Sequence, residues 1–234
     1  MVDSGVLDSM RGRLGYGPRL YHCFLADFTA AVVPKGAVVV TAACYALALA
    51  HDRPGMWSHA VLLAPTWRGP LPTAMGEHPR IYAWVRSLVG TPVIGEAFYR
   101  LNTLRPVIGL MYRRHVYVEA GRITPAFVAE KQDVARRLGA RFASVAFVTG
   151  QLDPVSDRGA FLALFDPPPV PTLVFCGNAT PPRSRAEMAE LADRSGVDLR
   201  WIPGSLGLHE EYAPAVADPI LRFVDASPSA RIGC

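Results

Sequence analysis

The chain has 234 residues, 50% of them apolar, which suffices for one large domain or a core with an insertion and excludes bulk disorder. Its net charge is +4 and its pI about 9.0. The basic residues do not form a nucleic-acid footprint, however: of 24 Lys+Arg only Lys35 and Lys131 are lysines, and the rest are scattered. The densest cluster, Arg113-Arg114-His115, lies in an apolar stretch and reads as a helix face or lid edge, so no nucleic-acid partner is expected. Cys23, Cys44, Cys176 and Cys234 form no CxxC and no zinc spacing, and Cys44 and Cys176 sit in apolar runs as small core residues. A reduced, cytoplasmic protein is expected. No signal peptide is read at the N-terminus, and no apolar run has transmembrane length.

In chain order, residues 1–19 are Gly- and Arg-rich without a period and read as loop. Leu20, Phe24, Leu25, Phe28 and Val32 recur at helical spacing, which predicts a helix over 20–33 ended by Pro34-Lys35-Gly36. Ala37–Val40 is a short apolar run of the kind buried on both faces of a parallel sheet. It passes without a turn residue into the Ala- and Leu-rich stretch 42–50, and 59–64 (HAVLLA) reads as a second buried strand. Prolines at 70, 72, 79, 92, 106 and 125 then separate short amphipathic pieces at 80–89, 96–104 and 107–117, as in a helical insertion. Beyond it come a helix over 157–165, the stiff connector 166–171 and a strand at 172–176. A helix over 184–194 follows, with Ser184 as N-cap and Glu187 completing a capping box. A strand at 198–202 and a helix over 213–225 close the pattern. This alternation predicts an α/β fold with a mostly parallel sheet. The expected division is 1–65 as the first part of the core, 66–140 as a helical cap and 141–234 as the rest of the core.

Three segments in order resemble the α/β-hydrolase superfamily. VVVTAACYALALAHDRPGMWSHAVLLAPT at 38–66 is similar to its strand, nucleophile elbow, helix and next strand. PTLVFCGNATPP at 171–182 is similar to the strand and turn that carry the triad acid, and WIPGSLGLHEEY at 201–212 to the last strand and the histidine loop. The resemblance implies ester-hydrolase ancestry and makes His209, on a loop with Gly204 and Gly207 and followed by Glu210-Glu211, the family histidine.

The departures bear on activity. Where the family has serine at the centre of G-x-S-x-G, an ungapped count back from Arg53-Pro54 places Val40, with Val38 and Ala42 at the glycines. A slide of one residue centres Thr41, a nucleophile candidate between Val39 and Ala43. Cys44, about one helical turn further, reads as a packing thiol. Three residues past Gly177, where the acid is expected, stands Thr180, which cannot stabilise an imidazolium as a carboxylate does. Asp153, in TGQLDP, has two readings, a substitute acid and a turn cap before Pro154.

The segment 7–21 (LDSMRGRLGYGPRLY) resembles a worn form of the loop after the fold's fourth strand, and the His-Gly oxyanion segment has no counterpart. A chain lacking the N-terminal strands would leave 37–40 as an apolar edge, inviting a homodimer or another protein partner, unless the true start lies upstream. The resemblance thus implies a hydrolase relative, weakly active or a pseudoenzyme. The alternative is a non-catalytic binding or assembly module using the old pocket for an apolar ligand or protein partner. Tyr82, Trp84 and Tyr112 are the candidate contacts of such a ligand; packing within the cap is the other use for them. No cofactor or metal is expected, because there is no GxGxxG, no P-loop and no histidine pair at ligand spacing.

Overall fold

The computed structural model describes residues 16–42 and 44–226; the readings placed on residues 1–15, Ala43 and Cys234 lie outside them. The chain forms two compact units. One contains the residues up to Leu25, Arg68–Met111 and Ile123–Asp153; the other contains Ala26–Trp67, Tyr112–Arg122 and the residues from Pro154 onward.

The second unit holds the sheet. Its strands β1 (Ala37–Thr41), β2 (Trp57–Leu63), β3 (Thr172–Gly177) and β4 (Val197–Ile202) are all parallel and lie in the order β1-β2-β3-β4. This is the expected α/β architecture. β3 is buried along its whole length and β2 along nearly all of it, which is why both read as continuous apolar runs. Leu62, Leu173, Val174, Phe175 and Cys176 form the centre of the core, with Phe161 and Phe165 meeting edge to face at 5.3 Å. His59 is also buried, edge-on to Phe223 at 5.4 Å, and desolvation lowers its pKa.

The apolar run of β1 does not mark burial on both faces. Among the described residues β1 pairs only with β2, so it is an edge strand, and Val40 is 48% exposed. Helix α1 (Pro18–Val32) precedes it, with proline in its first turn, and exposes Phe24, Phe28 and Val32 at a spacing of four. Helix α2 (Tyr45–Asp52) follows β1 and buries Leu47 and Leu49.

The first unit is helical: α3 (Pro70–Met75), α4 (Pro79–Gly90), α5 (Ile94–Asn102), α6 (Arg105–Met111), α7 (Pro125–Ala135) and α8 (Ala140–Val148). Here α4 packs against α5 and α8, and α6 against α7. Polar ties cross between helices: Gln132 donates to the Thr103 carbonyl at 2.7 Å, Tyr99 to that of Ala135 at 3.0 Å, and Arg141 pairs with Glu96 at 2.8 Å. The helical piece expected over 107–117 is helical to Val116, its α-helix widening at Tyr112–Val116 into a π-turn closed by the Tyr117 N–H on the Tyr112 carbonyl at 2.9 Å.

In the second unit α9 (Arg158–Ala163) is capped by Asp157, whose carboxylate accepts from the Ala160 N–H at 2.9 Å. Helix α10 (Pro182–Ala189) corrects the expected capping box. It begins two residues before Ser184, at a proline suited to a first helical position, so Ser184 is buried inside the helix and Glu187 pairs with Arg158 at 2.9 Å. A short turn, Leu208–Glu211 (α11), and helix α12 (Ala213–Ala226) end the described chain.

Phe175 fills the centre of the sheet, so Phe175→Ala is expected to lower the unfolding free energy by about 3–5 kcal/mol, read from urea denaturation.

Candidate functional site

Because the strands run parallel, their carboxyl ends share one edge of the sheet. Thr41 pairs with Leu62, Leu63 with Phe175 and Gly177 with Ile202. The loops that leave this edge are 42–44, 178–181 and 203–207, and an open α/β sheet binds its ligands at such an edge.

The turn between β1 and α2 runs over 42–44. Val40 stands inside β1, paired with Val61, so the turn lies further along than the ungapped count puts it. Val40 also escapes elbow strain: among the described non-glycine residues only Ala64 and Val93 have positive φ. Thr41 is the last residue of the strand and half-buried. Cys44 ends the turn fully buried, and burial pushes its thiol up to about 12, far from the thiolate a nucleophile needs.

At the end of β3 the chain is knitted to the segment after β4. Asn178 N–H donates to the Ile202 carbonyl at 3.0 Å and Ala179 N–H to that of Gly204 at 2.9 Å. Gly177 is required there, since a Cβ would lie 2.5 Å from the Gly204 oxygen. Thr180 is buried, and its hydroxyl has no hydrogen-bond partner among the described residues.

His209 does not sit on an open loop. It lies in the helical turn α11, closed by Glu211 N–H on Gly207 O at 3.1 Å and Tyr212 N–H on Leu208 O at 2.9 Å. Its Nδ1 is buried without a hydrogen-bond partner among the described residues, so Thr180 does not hold it. In a serine triad that nitrogen is the one the acid orients.

What the segment 203–212 does have is a clamp that sequence reasoning missed. Residues 112–122 bind along it. Ser205 Oγ donates to the His115 carbonyl at 2.8 Å, and Gly207 N–H to that of Val116 at 2.9 Å. Tyr117 donates its hydroxyl to Glu210, and burial together with this carboxylate raises the tyrosine pKa. Glu211, only 2% exposed, accepts from Val118 N–H at 2.9 and 3.1 Å and from Glu119 N–H at 2.8 Å. Charge-assisted bonds of this kind make burial of a carboxylate tolerable. Gly207 is part of the fit, because a Cβ would come within 2.6 Å of the Tyr117 ring. In the sequence the signal was only a pair of glutamates after a Gly-rich loop.

Asp153 belongs to the other unit. It accepts from Gly69 N–H at 3.0 Å, beside Gly150, whose φ is +75°. Burial pushes its carboxyl up to about 7, against the lowering effect of the Gly69 bond; Glu77 adds to the rise and Arg68 opposes it. Of the aromatic candidates, Tyr82 is buried and donates to the Gly76 carbonyl, while Trp84 is exposed. Tyr112, in the second unit, meets Tyr117 edge to face at 5.5 Å. Among the described residues no three His, Cys, Asp or Glu side chains gather as a metal set.

No sequence profile of a known family and no curated protein matches the chain. Solved structures do. A bromoperoxidase from Bacillus anthracis superposes with a TM-score of 0.65 at 13% identity, over 91% of this chain and 75% of that one. The meta-cleavage product hydrolase CumD from Pseudomonas fluorescens IP01 gives 0.64 at 12% identity, over 91% and 73%. An α/β-hydrolase enzyme from a Medee basin deep-sea metagenome library gives 0.53 at 15% identity, over 92% and 74%. The fold is that of the α/β-hydrolases.

Two outcomes follow from this geometry. Glu211→Ala is expected to cost on the order of 1–3 kcal/mol for each N–H it orphans, with Glu211→Gln costing less, both read by urea denaturation. For Asp153 the folded chain holds a proton between about pH 4, the unfolded value, and about pH 7. Stability is therefore expected to fall as pH rises through that window relative to Asp153→Asn, and to run parallel to that variant above it.

Proposed function

We propose that this chain, which has the α/β-hydrolase fold, descends from ester hydrolases and is now weakly active or inactive toward their substrates. One observation carries the reading: between β1 and α2, where the fold places its nucleophile, the described residues are Ala42 and a deeply buried Cys44, and the sequence has no serine there. An α-carbon methyl group cannot attack a carbonyl, and a thiol with its pKa near 12 stays protonated at neutral pH.

The other two triad positions support it. Thr180 brings no carboxylate, and the His209 Nδ1 has no partner, so nothing described here fixes the imidazole tautomer or offsets its charge. Without a nucleophile to deprotonate, His209 could act only by activating water, a weaker arrangement. Thr41 carries a hydroxyl at the end of β1, beside the turn, and the competing reading is a displaced mechanism that uses it with His209 and Asp153. We read the chain as cytoplasmic, supported by free thiols at Cys23, Cys44 and Cys176.

The test is hydrolysis of short- and medium-chain p-nitrophenyl esters by the purified chain, with His209→Ala and Thr41→Ala alongside. Rates equal to those of both variants, from protein folded by circular dichroism, are the expected result. Vigorous turnover, lost in His209→Ala, would overturn the proposal, and a loss in Thr41→Ala as well would establish the displaced nucleophile.

A further inference from the structure

The last described helix, α12, is joined to the sheet along a narrow stripe. Val216 is its one buried residue; Ile220 and Phe223, further along the same face, pack against the core while partly exposed. Pro219 lies inside the helix, where it has no N–H to give and a helical hydrogen bond is missing. A helix held so lightly opens at less cost than the strands it covers.

Against Phe223 lies His59 of β2, only 3% exposed, the two rings edge to face at 5.4 Å. Its Nδ1 meets the hydroxyl of Ser58 at 3.1 Å. Its Nε2 is buried and has no hydrogen-bond partner among the described residues. A neutral imidazole tolerates this place, since it has a single N–H and no charge. An imidazolium has two N–H groups and a full charge, and finds here neither a second acceptor nor a paired carboxylate. The flanking strands β1 and β3 carry no charged residue. α12 carries Asp218, Arg222 and Asp225, yet burial alone sets the lowered pKa of His59, so none of them offsets the cost of the charge.

The consequence has a definite sign. An exposed histidine takes up its proton near about pH 6.5. The folded chain resists that uptake, so the stability tied to neutral His59 is complete above this value and is lost as pH falls below it toward the lowered folded value. Lifting α12 opens Nε2 to water, which supplies the missing acceptor.

We propose that His59 is an acid-sensitive latch: uptake of a second proton by its ring releases α12 from the sheet while the strands stay folded. Release bares Ile220, Phe223 and the part of β2 that they cover.

The test is amide hydrogen exchange of the full chain at pH 7.5 and pH 5.5, read by mass spectrometry and corrected for the intrinsic pH dependence of exchange. Protection of peptides from 213–226 is expected to fall about tenfold at the lower pH, the factor for one proton taken up across that interval, while that of 172–177 is unchanged. His59→Gln and His59→Phe cannot be protonated, and in both the protection of 213–226 is expected to be equal at the two pH values. Comparison of the two segments in the wild type decides the matter even where a variant fails to fold. Unchanged protection of 213–226 in the wild type, a parallel loss in 172–177, or the same acid loss in a folded variant would each overturn the proposal.

Discussion

A strand can join its parallel neighbour only by leaving the sheet, crossing its face and returning to the same starting edge. Every feature of the second unit depends on this constraint. It places the turn after β1, the loop after β3 and the histidine segment after β4 at one edge, although they lie far apart in the chain. It also buries β3 on both faces, which is why Leu173, Val174 and Phe175 are all inaccessible to water. The position for chemistry is therefore supplied by topology, whether or not the side chains there can perform any.

Those side chains are held unevenly. The turn and Thr180 lack the groups that acyl transfer needs, whereas the histidine segment is held firmly. A carboxylate buried as completely as that of Glu211 is costly unless its oxygens are hydrogen-bonded, and here two backbone N–H groups from 118–119 supply those bonds. The same strand of chain receives Gly207 and Ser205, so 112–122 and 203–212 stabilise each other. This mutual support concerns the backbone around His209 rather than its imidazole, whose Nδ1 has no partner among the described residues. The backbone around His209 is thus fixed more firmly than the imidazole itself.

The first unit shows the opposite economy. Its interior is small, and it is closed by polar ties such as Gln132 on Thr103 and Arg86 on Thr149 as much as by apolar packing. Much of its apolar surface on α4 and α5 faces outward. Amphipathic spacing in those helices identifies which residues share a face, but it does not say whether that face meets protein or solvent. Tyr82 and Trp84, two residues apart on α4, illustrate this: one is buried and the other exposed.

The sequence alone determined the α/β class, the positions of all four strands and the order of the three hydrolase-like segments, because short β-prone runs stand out between turn residues, whether buried along their length like β2 and β3 or partly exposed like β1 and β4. Only the tertiary structure decided that Val40 is exposed on β1, that the turn lies beyond Val40, that α10 starts at Pro182, and that Glu211 holds 118–119. The reason is physical. Periodicity and turn chemistry act between residues a few positions apart, whereas the Glu211 bonds span 92 and 93 residues.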